Sequence, residues 1–278
     1  MTDIDIQYLE ELASRAREPR TLEEGGEPFG YVPENMQMVS LERYLKAPTR
    51  VHRALIVTTL ESFNRYYNEF KVSDGKGDSR IYVDGETVSV VGIIDDHQSL
   101  TPNGDNETLA SWCDHRVVYK CPYSREWEAW KGMDRRKVGQ VEFAEWLEDR
   151  TQDIVEPAGT DLLSMCLDLQ IHRKVVFGSA TRLESGEHSF QYSDNNETGT
   201  VQIPASITIG IPVFQDGTVY RITARFRYRL HDGTLHLWYE LVEPQKYVED
   251  AFNEVVDAIT EETETVPLHA KMGTSNST

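Results

Sequence analysis

The chain has 278 residues and a formal net charge of −19, because 47 acidic residues stand against 28 basic ones. A chain of this length can bury a sizeable core in one large domain or two small ones, and a hydrophobic content of 39% is typical of folded proteins. The acidic balance argues against duplex DNA as a partner, since binding DNA requires a broad cationic surface.

The cysteines and the apolar segments indicate the cellular compartment of the protein. Cys113, Cys121 and Cys166 are an odd number without metal-ligand spacing, which is typical of reduced thiols in a cytosolic protein. The first residues do not resemble a signal peptide, and the longest strongly apolar stretch, Val88–Ile94, is too short to cross a bilayer. We therefore expect a cytoplasmic protein with no membrane partner.

The first 35 residues are expected to form a helix and a linker. Apolar residues recur at helical spacing within Ile4–Ala16, and Pro19 interrupts this pattern. The glycines and prolines of Gly25–Pro33 then predict a linker. Such a helix can dock separately or exchange onto a neighbouring subunit, so we expect a homo-oligomer.

The middle of the chain contains several short helices and strands. Residues 36–260 are expected to form a single core domain, with a division into two lobes near residues 157–173 as the alternative. The predicted helices are Ser40–Leu45, a segment after the Ser124 cap that ends at Gly132, Gln140–Ile154 and Thr160–Leu169; the predicted strands are Ile56–Thr59, Ser79–Val83, Thr87–Ile94 and Asp114–Cys121, while Phe63–Phe70 permits a helix.

The last third of the chain is mostly β. Strands are predicted at Lys174–Leu183 and His188–Tyr192, and Ile207–Phe214 is expected at an edge or a bulge because it contains Pro212. Tyr247–Ile259 is predicted to close the fold as an amphipathic helix. The polar tail over residues 261–278 is expected to be disordered.

Four arginines alternate in the strand that precedes this closing helix. Successive side chains of a strand lie on opposite faces, and Asp232–Gly233 is a typical two-residue hairpin turn. Counting outward from the turn predicts one apolar face and a second face, which we call the arginine face. The arginine face comprises Arg221, Arg225, Arg227, Arg229, His236, Trp238 and Glu240.

The same register predicts contacts within the arginine face. Arg227 lies opposite Trp238, which predicts a cation–π contact. Arg225 lies opposite Glu240, which predicts an ion pair, while Arg221 has no obvious opposite charge.

Two interpretations of the arginine face follow from the sequence. It is either a solvated or internally paired surface, since ion pairs of this kind are common and weak, or a recognition surface. Recognition would involve a subunit, a small anionic or nucleotide ligand, or a carboxylate-rich segment, because Arg and Trp are enriched where binding energy concentrates.

Meanders of strands with helices gathered between them, and no regular βα alternation, predict an α+β fold. We expect antiparallel meanders and hairpins packed with several helices, and a long C-terminal hairpin followed by the closing helix.

An enzyme-like cluster follows the apolar strand that ends at Ile94. Asp95, Asp96 and His97 lie at the strand end, and His115 lies on the next predicted strand, so this set could bind Mg²⁺, Mn²⁺ or Zn²⁺. Three adjacent residues cannot normally all point at one ion, and a polar loop is the alternative. We therefore expect no metal, no cofactor and no catalytic residue, with a metal-dependent nuclease or phosphoesterase using this cluster as the alternative function.

Six blocks occur in order along the chain: Ser62–Tyr66, Ile94–His97, His115–Tyr119, Glu126–Trp130, Gln140–Asp149 and Ile211–Phe214, followed by the arginine hairpin. This succession resembles the YfdQ-like proteins, the domain of unknown function 2303, over about Leu41 to Phe252. The resemblance implies a phage or prophage origin beside recombination or host-takeover genes, and it supplies no catalytic residue.

These observations favour a phage-encoded, non-enzymatic accessory protein that self-associates and acts by binding. Host takeover, counter-defence and assistance to recombination are the roles that the resemblance implies. The arginine face is the expected binding or assembly surface.

Overall fold

The structure is a computed structural model that describes residues 20–21, 28–31, 38–72, 78–97, 111–171, 179–182, 188–194, 197–231 and 234–271. Two five-stranded, mainly antiparallel sheets make up most of it, with helices between the strands. This arrangement confirms the predicted α+β fold, including the long hairpin and the closing helix. The helix expected within Ile4–Ala16 lies outside the described residues.

Five α-helices lie in the described ranges, and polar caps begin two of them. Thr59 Oγ accepts a hydrogen bond from Ser62 N at 3.2 Å, and Ser124 Oγ accepts one from Trp127 N at 2.9 Å. The helices are α1 (Leu60–Phe70), α2 (Arg125–Met133), α3 (Gln140–Glu148), α4 (Gly159–Ile171) and α5 (Pro244–Thr263).

Sixteen strands, some only two residues long, complete the described elements. They are β1 (Arg20–Thr21), β2 (Pro28–Tyr31), β3 (Met38–Ser40), β4 (Ala54–Val57), β5 (Asp78–Asp84), β6 (Ser89–Asp96), β7 (Arg116–Lys120), β8 (Val138–Gly139), β9 (Ile154–Glu156), β10 (Ser179–Arg182), β11 (His188–Asp194), β12 (Glu197–Ile203), β13 (Ser206–Pro212), β14 (Val219–His231), β15 (Thr234–Leu241) and β16 (Leu268–His269).

The first sheet has the strand order β16-β5-β6-β7-β4. Strands β5, β6 and β7 form the predicted antiparallel meander, whereas β16 pairs with β5 and β4 pairs with β7 in parallel. Helix α1 covers one face of this sheet through Phe63 and Tyr67, which are fully buried. Tight packing over Gly92 of β6 sets the distance between helix and sheet.

The second sheet is antiparallel and has the order β8-β15-β14-β13-β9. Its central pair, β14 and β15, is the arginine hairpin. The observed register places Leu230 opposite Leu235 and Ala224 opposite Leu241, which confirms the predicted pairing.

The inner face of the second sheet packs against α2 and α3. Phe143 and Phe226 meet edge to face with ring centroids 5.6 Å apart, and the Trp130 ring lies 5.1 Å from that of Tyr239. Buried apolar residues of both sheets belong to one contiguous cluster, so the two sheets share a core.

Tertiary contacts shorten the helix that was predicted over Gln140–Ile154. Helix α3 ends at Glu148, a single 3₁₀ turn covers Thr151–Asp153, and Ile154 begins β9. Asp153 accepts a hydrogen bond from the Trp130 indole at 2.8 Å, which holds this segment outside the helix. Helical periodicity in the sequence therefore extends past the point at which the helix ends.

The structure corrects two other predictions about strands. Pro28–Tyr31 lies in the expected linker but pairs as β2 between β1 and β3. Strand β13 is not at an edge, because β14 and β9 flank it, but the alternative of a bulge agrees with the shift in its pairing with β9 at Thr208–Ile209; Pro212 is its last residue.

The tail expected to be disordered from residue 261 is described as far as residue 271, and parts of it have regular structure. Helix α5 continues to Thr263, and Leu268–His269 pair with Tyr82–Val83 as β16. The expectation is therefore wrong for residues 261–271, and residues 272–278 lie outside the described part. Strand β16 could not be predicted from this polar sequence, because it forms by pairing with β5 of the neighbouring sheet.

Candidate functional site

The arginine face is the outer surface of the β14–β15 hairpin. Ala224, Phe226, Leu237 and Tyr239 point the other way and are buried in the core. Because side chains alternate along a strand, burying these residues forces the arginines outward. All four arginines are exposed, while His236, Trp238 and Glu240 on the same face of β15 are half-buried.

Glu240 pairs with a different arginine from the one that the register predicts. Its Oε2 lies 3.7 Å from Arg227 Nε, whereas no ion pair joins it to the directly opposite Arg225. The Trp238 indole also donates to Glu240 Oε1 at 3.5 Å. Diagonal neighbours on a sheet lie within reach of long side chains, so the predicted Arg225–Glu240 ion pair is wrong.

Arg221 has an opposite charge that the sequence did not reveal. Its Nη2 donates to Glu156 Oε1 at 2.9 Å. Glu156 belongs to β9, and β13 lies between β9 and β14. Gly210 of β13 lies opposite Arg221 in the register, so β13 contributes no side chain at that position.

The cation over Trp238 is a lysine. Lys137 Nζ lies 5.0 Å from the centroid of the Trp238 ring, so the predicted contact between Arg227 and Trp238 is replaced. Lys137 directly precedes β8, which pairs with β15 at His236 and Leu237. The pairing of the two-residue strand β8 with β15 therefore places Lys137 beside the arginine face.

The arginine face is locally cationic on an acidic chain. The four arginines and Lys137 stand against Glu156 and Glu240, whereas the whole chain has a net charge of −19. Among the described residues, neither Arg225 nor Arg229 has an ion-pair partner. Two guanidinium groups with unfilled donor sites can bind a carboxylate or a phosphate bidentately.

The candidate metal residues predicted from sequence do not all converge. Asp95 accepts hydrogen bonds from the backbone N–H groups of Asp114 at 3.2 Å and His115 at 2.9 Å. The His115 ring turns away, where its Nε2 lies 2.9 Å from Tyr66 Oη and its ring packs edge-on against Phe70. Burial lowers the pKa of His115, which keeps the imidazole neutral.

Asp96 and His97 do converge, with a residue that sequence reasoning set aside. Cys113 Sγ lies 3.8 Å from Asp96 Oδ1 and 3.7 Å from His97 Nε2. We call these three residues the Asp96 cluster. Burial, followed by the charges of Asp96 and Asp95, raises the pKa of the Cys113 thiol, so it is not an activated nucleophile.

A signal for Cys113 was present in the sequence. Asp114 and His115 were placed beside Asp95 and Asp96 by the antiparallel meander, and Cys113 immediately precedes them. Its left-handed backbone, with φ 55°, turns the side chain toward the end of β6. Sequence spacing does not show such a turn, because non-glycine residues seldom adopt it.

A family comparison covers nearly the whole chain. The family model described as an uncharacterized conserved protein, DUF2303, matches residues 2–275. The chain belongs to this family. The resemblance stated from the sequence blocks is therefore confirmed for the domain of unknown function 2303, and the match extends beyond the blocks on both sides.

Comparisons with curated proteins and with solved structures found no match. The DUF2303 description assigns no activity, so this chain's own geometry must carry any functional proposal. None of the described helices has the length and apolar character needed to cross a membrane.

A cleft of about 460 Å³ lies between the start of α1 and α5. Glu61, Asp216 and Glu254 contribute carboxylates to its lining, and Tyr220 donates to Glu254 at 2.6 Å. An anionic ligand would meet repulsion there, so the arginine face suits an anion better than this cleft does.

Proposed function

We propose that this DUF2303 chain is a phage-encoded, non-enzymatic accessory protein that self-assembles and acts by binding. The arginine face is the proposed binding or assembly surface, and host takeover, counter-defence or recombination is the proposed setting. One observation carries the proposal: exposed Arg225 and Arg229 have no ion-pair partner within the described ranges, although the chain is strongly acidic.

Physical chemistry favours a functional partner for these arginines. A chain with 47 acidic residues has many carboxylates that could neutralise a guanidinium group, yet among the described residues only Glu156 and Glu240 do so on the arginine face. The uncompensated charge attracts anions and the acidic surface of a second copy. Such attraction is screened beyond about 8 Å at physiological salt, so it acts on surfaces already close together.

Trp238 supports the same proposal. It is a half-buried aromatic ring with Lys137 above it, and it lies among cations on a flat sheet surface. Tryptophan and arginine together are typical of interface positions that contribute most to affinity. The metal-dependent alternative receives less support, because Asp95 and His115 are engaged in other contacts.

Two experiments test the proposal: measurement of the mass of the purified protein, and reversal of single charges on its arginine face. Native mass spectrometry and light scattering at micromolar concentration should show a homo-oligomer, with any copurified anion identified from the same sample. Arg225→Glu and Arg229→Glu should each abolish assembly or anion binding. Each variant should keep its free energy of unfolding within about 0.5 kcal/mol, because these side chains are solvated.

Arg65→Glu is the matched control. Arg65 is an exposed arginine on α1, so this variant makes the same change in charge on a different surface. It should assemble and bind like the parent. A monomeric parent that binds no anion, or arginine-face variants that behave like Arg65→Glu, would reject the proposal.

A further inference from the structure

We propose that Asp96, His97 and Cys113 form a binding site for Zn²⁺. The proposal does not depend on the function of the arginine face, and it replaces our expectation that the chain binds no metal. The proposed site contains Asp96 and His97 from the predicted cluster together with Cys113, and it does not contain Asp95 or His115.

The spacing of the three ligand atoms fits a tetrahedral ion. One ligand atom from each residue lies within 4.8 Å of the others, and the distances from Cys113 Sγ are 3.7 Å to His97 Nε2 and 3.8 Å to Asp96 Oδ1. Bonds of about 2.3 Å to sulfur and about 2.0 Å to nitrogen or oxygen at tetrahedral angles place such atoms about 3.5 Å apart. Small side-chain movements are enough to bring all three onto one ion.

The donor types select the ion. Thiolate, imidazole and carboxylate together are typical of Zn²⁺, whereas Mg²⁺ and Ca²⁺ prefer sites built from oxygen alone. Three protein ligands leave a fourth tetrahedral position for water or another small ligand. Zn²⁺ displaces the proton of the Cys113 thiol, which passes to solvent.

Neighbouring groups hold Asp96 in position for this role. Asp96 is buried, and its Oδ2 accepts a hydrogen bond from Tyr82 Oη at 2.6 Å. Asp96 Oδ1 lies 3.8 Å from Cys113 Sγ and accepts a hydrogen bond from the His97 backbone N–H at 2.7 Å. Arg80 Nη1 lies 3.7 Å from Asp96 Oδ2, on the side away from Cys113, and compensates part of the carboxylate charge.

His97 must change its hydrogen bonding when it binds the ion. Ser111 N–H donates to His97 Nδ1 at 3.0 Å, which puts the proton of a neutral imidazole on Nε2. Binding of Zn²⁺ to Nε2 moves that proton to Nδ1, so the Ser111 N–H must turn away. The exposed His97 ring has room for this adjustment.

Cobalt spectroscopy on the full chain without an affinity tag tests the site. After removal of metals with a chelator, Co²⁺ should bind one ion per chain and give a sulfur-to-cobalt charge-transfer band, which Zn²⁺ should abolish by displacement. Cys113→Ser should eliminate the band. Tyr82→Phe should retain the band with about 10-fold weaker affinity, because it removes a hydrogen bond to a ligand.

Thermal unfolding supplies a second readout and the controls. Zn²⁺ should raise the melting temperature of the parent and of His52→Asn, since His52 is an exposed histidine outside the Asp96 cluster. It should not raise that of His97→Gln, which alters an exposed ligand with little risk to the fold. Absence of the band in the parent, or a band or zinc response unchanged in Cys113→Ser and His97→Gln, would overturn the proposal.

Discussion

Lys137 Nζ lies 5.0 Å from the ring centroid of Trp238 and covers the aromatic side chain at the centre of the arginine face. The two residues are far apart in the sequence and meet because β8 pairs with β15. Lys137 itself is exposed, so the contact joins a solvated cation to a half-buried ring.

Replacing Lys137 with methionine should lower the free energy of unfolding by about 0.5–1 kcal/mol, the usual value of an exposed cation–π contact. Methionine keeps the length and apolar character of the side chain but removes its charge. Lys137→Arg is the control, because a guanidinium group can also lie over an indole ring. Urea unfolding curves measure the difference, and equal stability of the two variants would show that the charge contributes nothing.

Ser124 should contribute more to stability than the other helix cap. Its Oγ accepts from Trp127 N at 2.9 Å, donates to Pro212 O at 2.5 Å, and is buried. Ser124→Ala loses the cap and leaves the partly buried carbonyl of Pro212 without its donor, so the loss should be about 2–3 kcal/mol.

Thr59→Ala is the comparison for this prediction. Thr59 caps α1 in an exposed position, where water can replace the lost hydrogen bond, and its removal should cost about 1 kcal/mol. Chemical denaturation of both variants tests the order. A larger loss for Thr59→Ala would contradict the role given to burial.

The pairing of the arginine hairpin could be predicted from sequence because two independent signals agree. The Asp232–Gly233 sequence is typical of a two-residue hairpin turn, and a shift of one residue in the pairing would move Phe226 and Tyr239 out of the core. Its side-chain partners could not be predicted in the same way. Lys137 directly precedes β8 and Glu156 is the last residue of β9, and these strands of two and three residues are too short to show a pattern.

The Asp96 cluster shows a different limit of sequence reasoning. The strand alternation that buries Asp96 sends the neighbouring Asp95 to the backbone of Asp114 and His115. Asp95 and Asp96, which the sequence analysis placed in one cluster, therefore point to opposite sides of the strand because they are adjacent. Cys113, the third member of the Asp96 cluster, has a left-handed backbone conformation. The direction of its side chain can therefore be seen only in the folded structure.

Two glycines should respond to alanine in opposite ways. A Cβ on Gly92 would lie 2.8 Å from Tyr67 Cδ2 and 3.1 Å from Val117 Cγ1, inside the packed core under α1. Gly92→Ala should therefore destabilise the fold by about 1–3 kcal/mol. Gly132 lies within α2 with nothing within 4 Å of an added Cβ, so Gly132→Ala should stabilise by about 0.5–1 kcal/mol. Thermal unfolding that shifts in the same direction for both would reject this explanation.

The buried carboxyl of Asp153 should make stability depend on pH. Burial, only partly offset by the hydrogen bond from Trp130, raises its pKa above the ordinary value of 3.8. The folded state then holds a proton more tightly than the unfolded state, so this contribution to stability is complete below pH 3.8 and is lost as pH rises through the raised pKa. Asp153→Asn keeps an acceptor for the indole N–H and carries no charge. The free energy of unfolding of Asp153→Asn should therefore increase relative to that of the parent as pH increases from 3.8 to 7. Urea unfolding across this pH range measures the difference. A difference between the two proteins that stays constant with pH would show that Asp153 is not the group responsible.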